Sequence, residues 1–260
     1  MPRFRERFPA AKPLIGVIHL PPLPGYAASP GLPAVIAHAL AELATHRVGG
    51  LDGVLVENEN DQPHRVEAAR ETIAAMTAVT RELVHAAGAF PVGIEILLND
   101  PEASLAVALA AGAGFIRSDY FADAMSRPEH GEMRIAPDAL LAYRTAIGAE
   151  RVLIMADIQV KYAELLEPRS LAESARSAHE HGADAIVVTG SRTGDPPARE
   201  ELDAARAGAG DCPVLIGSGL APANAAALLA ACDGAIVGTS LMEAGAATAA
   251  NVAALTSARA

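Results

Sequence analysis

The 260-residue sequence contains no tryptophan, and its aromatic residues amount to only 3% of the chain. Because hydrophobic residues nevertheless make up 51%, the core has to be built from alanine, valine, leucine and isoleucine. An aliphatic core suits helices that pack on parallel strands, since such strands are buried on both faces. The composition therefore favours an α/β protein, and the length matches one barrel domain of about 250 residues.

Cysteine is nearly absent, with Cys212 and Cys232 as the only two. Two cysteines do not make a disulfide framework or a zinc site, so we expect free thiols at the amino ends of neighbouring strands. The sequence also lacks an uncharged apolar run of about 18 residues, which predicts no membrane-spanning helix. Its basic start is not followed by a signal-peptide pattern. The simplest expectation is a cytoplasmic protein with reduced thiols.

Positive charge is scarce, because 20 lysines and arginines face 31 acidic residues, for a net charge of −11. Such a surface repels nucleic acid and anionic lipid, so we expect neither as a partner. A local positive pocket for a small phosphorylated metabolite is compatible with this balance. The alanine-rich helices are compatible with a homo-oligomer.

Eight apolar runs alternate with helix-like segments along the whole chain. The runs begin near residues 14, 53, 91, 115, 151, 185, 213 and 234. Several of these runs share one sequence pattern, in which a polar or glycine turn is followed by three or four apolar residues and then by a polar residue. This alternation predicts a single closed (β/α)8 TIM barrel over residues 1–260 rather than an open doubly wound sheet. The longest irregular segment, Tyr120–Pro137, is predicted to be a lid.

Two glycine turns near the carboxyl end predict a phosphate site. The turns follow the seventh and eighth runs, where (β/α)8 barrels commonly bind phosphate. Glycine lets backbone N–H groups approach an anion closely, and a helix amino terminus adds a favourable dipole. The alternative is two tight turns without a ligand. The residues assigned to this phosphate cradle are Gly194, Gly217, Ser218, Gly219, Gly238, Thr239 and Ser240.

Polar residues at the carboxyl ends of the predicted strands are the candidates for chemistry, because active sites of such barrels lie there. The candidates for catalysis are His19, Glu57, Asp157 and Lys161. The candidates for substrate binding are Asn58, Glu95, Asn99, Arg117, Thr189 and Thr193. Asp119 also lies at a strand end, without an assigned role.

Each of these polar groups also has a structural interpretation. A buried carboxylate such as Glu95 needs a cation, and Arg117 on the next strand is its natural partner. That pair either fills the barrel or faces a substrate. Asp157 and Lys161 are compatible with acid–base catalysis or with a static ion pair. His19 is a catalyst or a satisfied structural group.

The acidic segment after the second run raises the question of a metal. Glu57, Asn58, Glu59, Asn60 and Asp61 offer oxygen ligands of the kind that Mg²⁺ prefers. An exposed acidic loop is the favoured interpretation. We therefore predict no metal ligands and no cofactor, with a divalent metal as the open alternative.

Six segments together resemble the BtpA/SgcQ family. They are residues 15–25, 52–58, 156–161, 189–194, 215–220 and 237–241. The resemblance covers nearly the whole chain and implies a TIM barrel of the ribulose-phosphate-binding type. Members of the family commonly have lysine after the Gly-Thr-Ser-Leu motif, where this chain has Met242. We expect this loss of positive charge to weaken phosphate binding or to alter the ligand.

The residues favour an enzyme that acts on a phosphorylated sugar or a similar small phosphate ester. The chemistry that fits them is proton transfer next to a carbonyl, as in an isomerase, an epimerase or an aldolase-type lyase. The resemblance implies an alternative, because the family is named for photosystem I accumulation: a non-catalytic assembly or stability factor for a photosynthetic membrane complex. The sequence lacks an amphipathic membrane helix with a basic face, and the alternative leaves the polar strand ends unexplained.

Overall fold

Eight short strands close into a barrel in the structure, a computed structural model that describes residues 2–259. The strands are β1 (Leu14–His19), β2 (Gly53–Glu57), β3 (Val92–Glu95), β4 (Phe115–Ser118), β5 (Leu153–Ile158), β6 (Ala185–Val188), β7 (Val214–Ile216) and β8 (Gly234–Val237). Every neighbouring pair is parallel, and β8 returns to pair with β1. The prediction of a closed barrel rather than an open sheet is therefore confirmed.

A helix connects each strand to the next, and one further helix precedes β1 and another follows β8. The helices are α1 (Pro2–Arg7), α2 (Leu32–Val48), α3 (Arg70–Ala87), α4 (Pro101–Ala111), α5 (Pro137–Ala146), α6 (Leu171–Glu180), α7 (Arg199–Gly208), α8 (Ala225–Leu229) and α9 (Ala249–Ser257). Their ends follow local chemistry. Asp100 caps α4 by accepting the N–H of Ala103, and Gly112 ends that helix with a left-handed conformation.

Alternation along the strands fills the interior of the barrel. Successive side chains of a strand point to opposite faces, so every second residue faces the barrel axis. The inward residues of the lower layers form one apolar cluster: Ile15, Val17, Leu55, Phe115, Leu153, Met155, Ala185, Val187, Leu215 and Ile236. Phe4 and Phe8 belong to the same cluster, and the Phe8 ring centroid lies 5.5 Å from that of Phe115. Helix α1 therefore closes the amino end of the barrel.

The lid segment is more regular than the sequence predicts. Within Tyr120–Pro137, strands Met125–Arg127 and Gly131–Met133 form an antiparallel hairpin. Glu164–Leu165, from the connection after β5, adds a third strand. Strands of two or three residues are too short to show a periodic pattern, which is why the segment looked irregular.

The segment after β7 has less helix than predicted. Helix α8 has only five residues, and a 3₁₀ turn, Thr239–Leu241, follows β8. The side chain of Asn224 occupies the turn before α8, where it accepts the N–H of Ala221 and donates to the carbonyl of Gly219. The dipoles of these short elements are small, so an anion at the turns would depend mainly on individual N–H groups.

Both cysteines are buried free thiols, as predicted. Each lies two residues before a strand, Cys212 before β7 and Cys232 before β8, on the face opposite the strand ends that carry polar residues. Burial raises the pKa of the Cys212 thiol to about 12. No helix within residues 2–259 is long and apolar enough to cross a membrane.

We predict that Gly93→Ala destabilises the barrel. A Cβ at this position would lie 2.2 Å from the ring of Phe115, and such overpacking typically costs about 1–3 kcal/mol. Urea unfolding followed by circular dichroism measures the loss. A matched double variant, Gly93→Ala with Phe115→Leu, should recover part of it, because the ring that clashes is gone. Equal stability of parent and Gly93→Ala would contradict this account.

Candidate functional site

A cavity of about 240 Å³ opens at the carboxyl end of the barrel, between the strand ends and the lid hairpin. It brings together the four candidates for catalysis, although they come from β1, β2 and β5 and from the loop after β5. The other predicted site residues that line it are Glu95, Arg117, Thr189, Thr193, Gly194, Gly217, Ser218, Gly219, Gly238 and Thr239. The expectation that the site lies at the carboxyl ends of the strands therefore indicated the position of this cavity.

Three predicted site residues do not line this cavity. Asn58 fastens loops instead, with its Oδ1 accepting the N–H of Leu97 at 2.7 Å. Ser240 donates its hydroxyl to the carbonyl of Leu220 at 2.6 Å. Asn99 lies at a second cavity beside the start of α4. The side chains of Asn58 and Ser240 thus support the loops around the site.

Arg117 is the centre of the buried charge at the bottom of the cavity. Its Nε and Nη2 donate to the two carboxylate oxygens of Asp157, at 2.7 and 2.9 Å. Glu57 lies 3.5 Å from Nη1, and Glu95 lies 3.8 Å from Nε. The expected pairing of Glu95 with Arg117 is therefore present, but Asp157 is the much closer partner. Both oxygens of Asp157 are occupied, and the residue is completely buried.

The two glutamates of this cluster differ in charge. Burial alone would raise the pKa of Glu57, but the hydrogen bond and charge of His19 and the charge of Arg117 outweigh it and lower the pKa to about 2. Burial raises the pKa of Glu95 well above its usual range, against the attraction of Arg117. Glu57 is therefore a carboxylate at neutral pH, whereas burial shifts Glu95 toward its neutral form, which can donate a hydrogen bond.

His19 and Glu57 form a pair at the ends of β1 and β2. The His19 Nε2 lies 3.4 Å from a carboxylate oxygen of Glu57, and the two residues are register partners. Burial would lower the pKa of His19, but the hydrogen bond and charge of Glu57 raise it overall. Glu57 therefore favours the protonated form of the imidazole.

Asp119 also lines the cavity, although the sequence analysis identified no role for it. It follows β4 and points inward with Arg117, two residues earlier. Burial, followed by repulsion from Asp157, raises its pKa from 3.8 to about 7. A carboxyl group with this pKa exchanges protons readily at neutral pH. The in–out alternation of the strand was the signal that could have identified it.

Arg127, Tyr162 and Lys161 line the outer part of the cavity. The guanidinium carbon of Arg127 lies 5.8 Å from the ring centroid of Tyr162. The Tyr162 hydroxyl accepts the N–H of Thr193 at 2.9 Å. The sequence did not predict Arg127 or Tyr162 as site residues, because Arg127 ends a strand of only three residues and Tyr162 lies in a loop, and neither segment shows a periodic pattern.

The glycine turns present unpaired backbone donors to the cavity. Among hydrogen bonds between described residues, none uses the N–H of Ser218, Gly219, Gly238 or Thr239. The N–H of Gly217, by contrast, donates to the carbonyl of Val188 at 2.8 Å. Four N–H groups that line one cavity suit an anion.

Loop contacts fix the shape of the first of these turns. The Ser218 hydroxyl accepts the N–H of Gly190 and donates to the carbonyl of Asp195. Gly219 has a φ of +70°, and a Cβ there would lie 2.1 Å from the backbone nitrogen of Pro196. Glycine is thus needed at 219 for packing between loops, whatever the ligand.

The acidic segment after β2 does not converge on one point. The Asp61 carboxylate accepts the N–H of Leu23 and the side-chain amide of Asn58, while Asn60 donates to the carbonyl of Leu20. Within residues 2–259, no group of three or more His, Cys, Asp or Glu side chains is arranged to hold a metal. These polar side chains fasten the loop to its neighbours.

We predict that Asp119→Asn gains stability over the parent as pH rises. The pKa of Asp119 is higher in the folded state, about 7 against 3.8. Its favourable contribution is therefore fully present below about pH 4 and is lost as pH rises through 7. Asparagine does not titrate, so the difference should reach a few kcal/mol at pH 8.

Urea unfolding of both proteins between pH 4 and 8 measures this difference. Asp203→Asn, at an exposed ion pair with Arg199, is the control and should show no such trend. A stability difference between Asp119→Asn and the parent that is constant with pH would contradict the raised pKa.

We also predict that Asp157→Asn strongly destabilises the protein. The substitution leaves the buried Arg117 guanidinium without its closest charge, and breaking a buried pair costs about 3–5 kcal/mol. Thermal and urea unfolding measure the loss, with Asp203→Asn again as the exposed control. Stability within about 1 kcal/mol of the parent, the range of exposed pairs, would show that Arg117 does not depend on Asp157.

Comparison with known proteins identifies the family. The model of the BtpA family matches residues 10–256. The photosystem I biogenesis protein BtpA of Synechocystis sp. is 39% identical over 241 residues, which cover 91% of this chain and 82% of that protein. The resemblance found in the sequence motifs is thereby confirmed.

Solved structures with the same fold are far more distant in sequence. Thiamine phosphate pyrophosphorylase from Pyrococcus furiosus superposes with a TM-score of 0.63 at 16% identity, covering 98% of this chain and 97% of that one. N-(5'-phosphoribosyl)anthranilate isomerase from the same organism gives 0.59 at 13% identity, covering 95% and 98%. These likenesses show the TIM-barrel fold, in agreement with the closed eight-stranded barrel. With a family model that spans nearly its whole length and a relative of 39% identity, the chain belongs to the BtpA family.

Proposed function

We propose that the protein is an enzyme that acts on a phosphorylated sugar or a similar small phosphate ester, through proton transfer next to a carbonyl. One observation carries the proposal. A single cavity has unpaired backbone N–H groups of glycine turns on one side and buried acid–base side chains on the other. Such a site can hold a phosphate while groups beyond it exchange protons with the carbon skeleton.

The turns after β7 and β8 would bind the phosphate. Gly238 permits a close approach, and the N–H groups of Ser218, Gly219, Gly238 and Thr239 supply donors. The two solved structures described above are enzymes whose names contain a phosphate or phosphoribosyl group, which supports a phosphate at this position of the fold. Replacement of the common lysine by Met242 makes backbone donors more important here.

Acid–base chemistry would be divided between Asp119 and His19. Proton abstraction next to a carbonyl needs a base at the carbon and a donor at the oxygen. Asp119, with a pKa of about 7, suits the first task. His19, whose pKa is raised by the hydrogen bond and charge of Glu57, suits the second. Lys161 lines the same cavity and would stabilise negative charge that develops on the substrate.

Asp157 would act by positioning rather than by proton transfer. Both of its oxygens accept hydrogen bonds from Arg117, and the residue is completely buried, so the carboxylate serves as the partner of the guanidinium. The pair holds the guanidinium beneath the cavity, where its charge acts on Glu57 and Asp119. The same groups fit an isomerase, an epimerase or an aldolase-type lyase, since all three pass through an enolate next to the carbonyl. An isomerase or epimerase forms it by removing the proton from carbon, whereas a lyase forms it by breaking a C–C bond after the hydroxyl proton is removed and then protonates the carbon.

The name of the Synechocystis relative, a photosystem I biogenesis protein, supports a second candidate. A non-catalytic assembly factor for a photosynthetic membrane complex would not depend on the protonation of Asp119. The two candidates therefore differ in the effect of cavity substitutions that leave the fold intact.

We predict that phosphate stabilises the parent and that Gly238→Val abolishes most of this effect. A Cβ at Gly238 would meet its nearest neighbour, His19, only at 3.6 Å, so the substitution should leave folding nearly intact while it narrows the turn. Thermal shifts with inorganic phosphate and with sugar phosphates measure binding. Gly238→Ala should give an intermediate effect, and Ala250→Val, on the exposed side of α9, should behave like the parent. A full phosphate shift in Gly238→Val would contradict the cradle.

We predict that Asp119→Asn lowers kcat by about 10²- to 10⁴-fold, the usual contribution of a general acid or base. The assay is uptake of deuterium from D₂O into carbons next to the carbonyl of each sugar phosphate, followed by NMR. The phosphate-induced thermal shift should remain, because the cradle is untouched. Equal exchange rates in parent and variant would remove Asp119 from the chemistry.

A further inference from the structure

We infer that the substrate carries a second anionic group, a carboxylate or a second phosphate, and that Arg127 of the lid binds it on the far side of the cavity. This inference rests on the proposed function, because it takes the first phosphate to lie at the glycine turns. It narrows the substrate class from phosphate monoesters in general to compounds with an anion at each end.

The barrel order places the two anion sites opposite each other. In the closed sequence of eight strands, β4 lies across the barrel from β8. Arg127 belongs to the hairpin that follows β4, whereas Gly238 and Thr239 follow β8. All three residues line the same cavity. A ligand that is anchored by a phosphate at the turns would therefore extend toward Arg127.

The guanidinium of Arg127 is poorly satisfied within the protein. Its Nε is buried and has no hydrogen-bond partner among the described residues. Nη1 reaches the hydroxyl of Tyr120 at a long 3.4 Å. The carboxylate of Glu129 lies 3.5 Å from this Nε, but the Glu129 side chain is 68% exposed. An ion pair with so exposed a partner contributes little. Buried donors without acceptors are unfavourable, and the planar fork of arginine matches a carboxylate or a phosphate.

Arg127 is also held at a defined position relative to the phosphate side. Its guanidinium lies over the ring of Tyr162, at 5.8 Å, where a cation is attracted to the aromatic face. The hydroxyl at the other end of that ring accepts the N–H of Thr193, in the loop before α7. Tyr162 therefore connects the guanidinium to a loop that lines the phosphate side, which fixes the separation between the two anion sites.

The other cations of the cavity differ from Arg127 in the partners that surround them. Arg117 lies within 3.8 Å of three carboxyl groups, which leaves it little attraction for a ligand anion. His19 is paired with Glu57. Among the arginine and lysine side chains of the described residues that line the cavity, Arg127 and Lys161 form no ion pair with a buried carboxylate. Lys161 follows β5, next to β4, and would reinforce the same end.

The test compares one-anion with two-anion compounds of matched size. The pairs are fructose 6-phosphate with fructose 1,6-bisphosphate, and glucose 6-phosphate with 6-phosphogluconate. We expect the parent to bind at least one two-anion compound more tightly than its one-anion partner, as measured by titration calorimetry. Arg127→Gln should reduce that preference by about 10- to 100-fold, the range for a charge-assisted hydrogen bond. Its affinity for the one-anion compounds and for inorganic phosphate should stay as in the parent.

Arg134→Gln is the matched control. Arg134 follows the same hairpin, is exposed and pairs with Glu132, but it does not line the cavity. It should bind all four compounds like the parent. The pair that shows the preference also tells whether the second anion is a phosphate or a carboxylate.

The outcomes separate this inference from the proposed function. If the parent binds phosphate and the one-anion compounds but shows no preference for either two-anion compound, the inference is wrong and the proposed function stands. Retention of the full preference in Arg127→Gln, or its equal loss in Arg134→Gln, would also overturn the role of Arg127. If no phosphate compound binds the parent, the proposed function fails and this inference fails with it.

Discussion

The ion pair between Arg117 and Asp157 is the interaction on which the site depends. Four carboxyl groups, those of Glu57, Glu95, Asp119 and Asp157, face the top of one barrel, where charge is poorly solvated. Arg117 makes this arrangement tenable, because it neutralises Asp157 directly and attracts the other three. A buried charge without a partner is strongly destabilising, so the cluster exists only as a unit.

That unit also separates the pKa values of the carboxyl groups, as the proposed acid–base chemistry requires. Identical carboxyl groups behave differently because each lies at a different place around Arg117 and His19. Glu57, closest to the imidazole, stays ionised, while the pKa of Glu95 is raised well above its usual range and that of Asp119 is about 7. Groups whose environments push their pKa values apart can serve as acid and base in the same cavity.

One regularity of the barrel strands brings the polar groups of the cavity together. The inward face of each strand is apolar at the amino end and polar at the carboxyl end, so that Ile15 and Val17 are followed by His19, and Phe115 is followed by Arg117. Helix α1 closes the apolar end with Phe4 and Phe8. The open end receives the lid hairpin, which brings Arg127 and Tyr162 over the cavity.

The sequence by itself determined the architecture and most of the floor of the cavity. Eight apolar runs with helices between them allow few folds, and strand-end polar residues in a barrel meet at one mouth because all the strands are parallel. The glycine turns can likewise be located from the sequence alone, because glycine is the residue that such turns favour. Alternation along β4 would also have identified Asp119, since it lies two residues after Arg117.

Only the tertiary structure decided which partner each charged group has and which loop residues enter the cavity. Asp157 binds Arg117 with both oxygens because β4 and β5 are neighbours in register, and the distances between side chains decide the outcome. The side chains of Asn58 and Ser240 do not line the cavity, and they form hydrogen bonds with neighbouring loops instead. Arg127 and Tyr162 meet through a three-stranded lid whose short strands carry no periodic signal, since their pairing is set by contacts between distant parts of the chain.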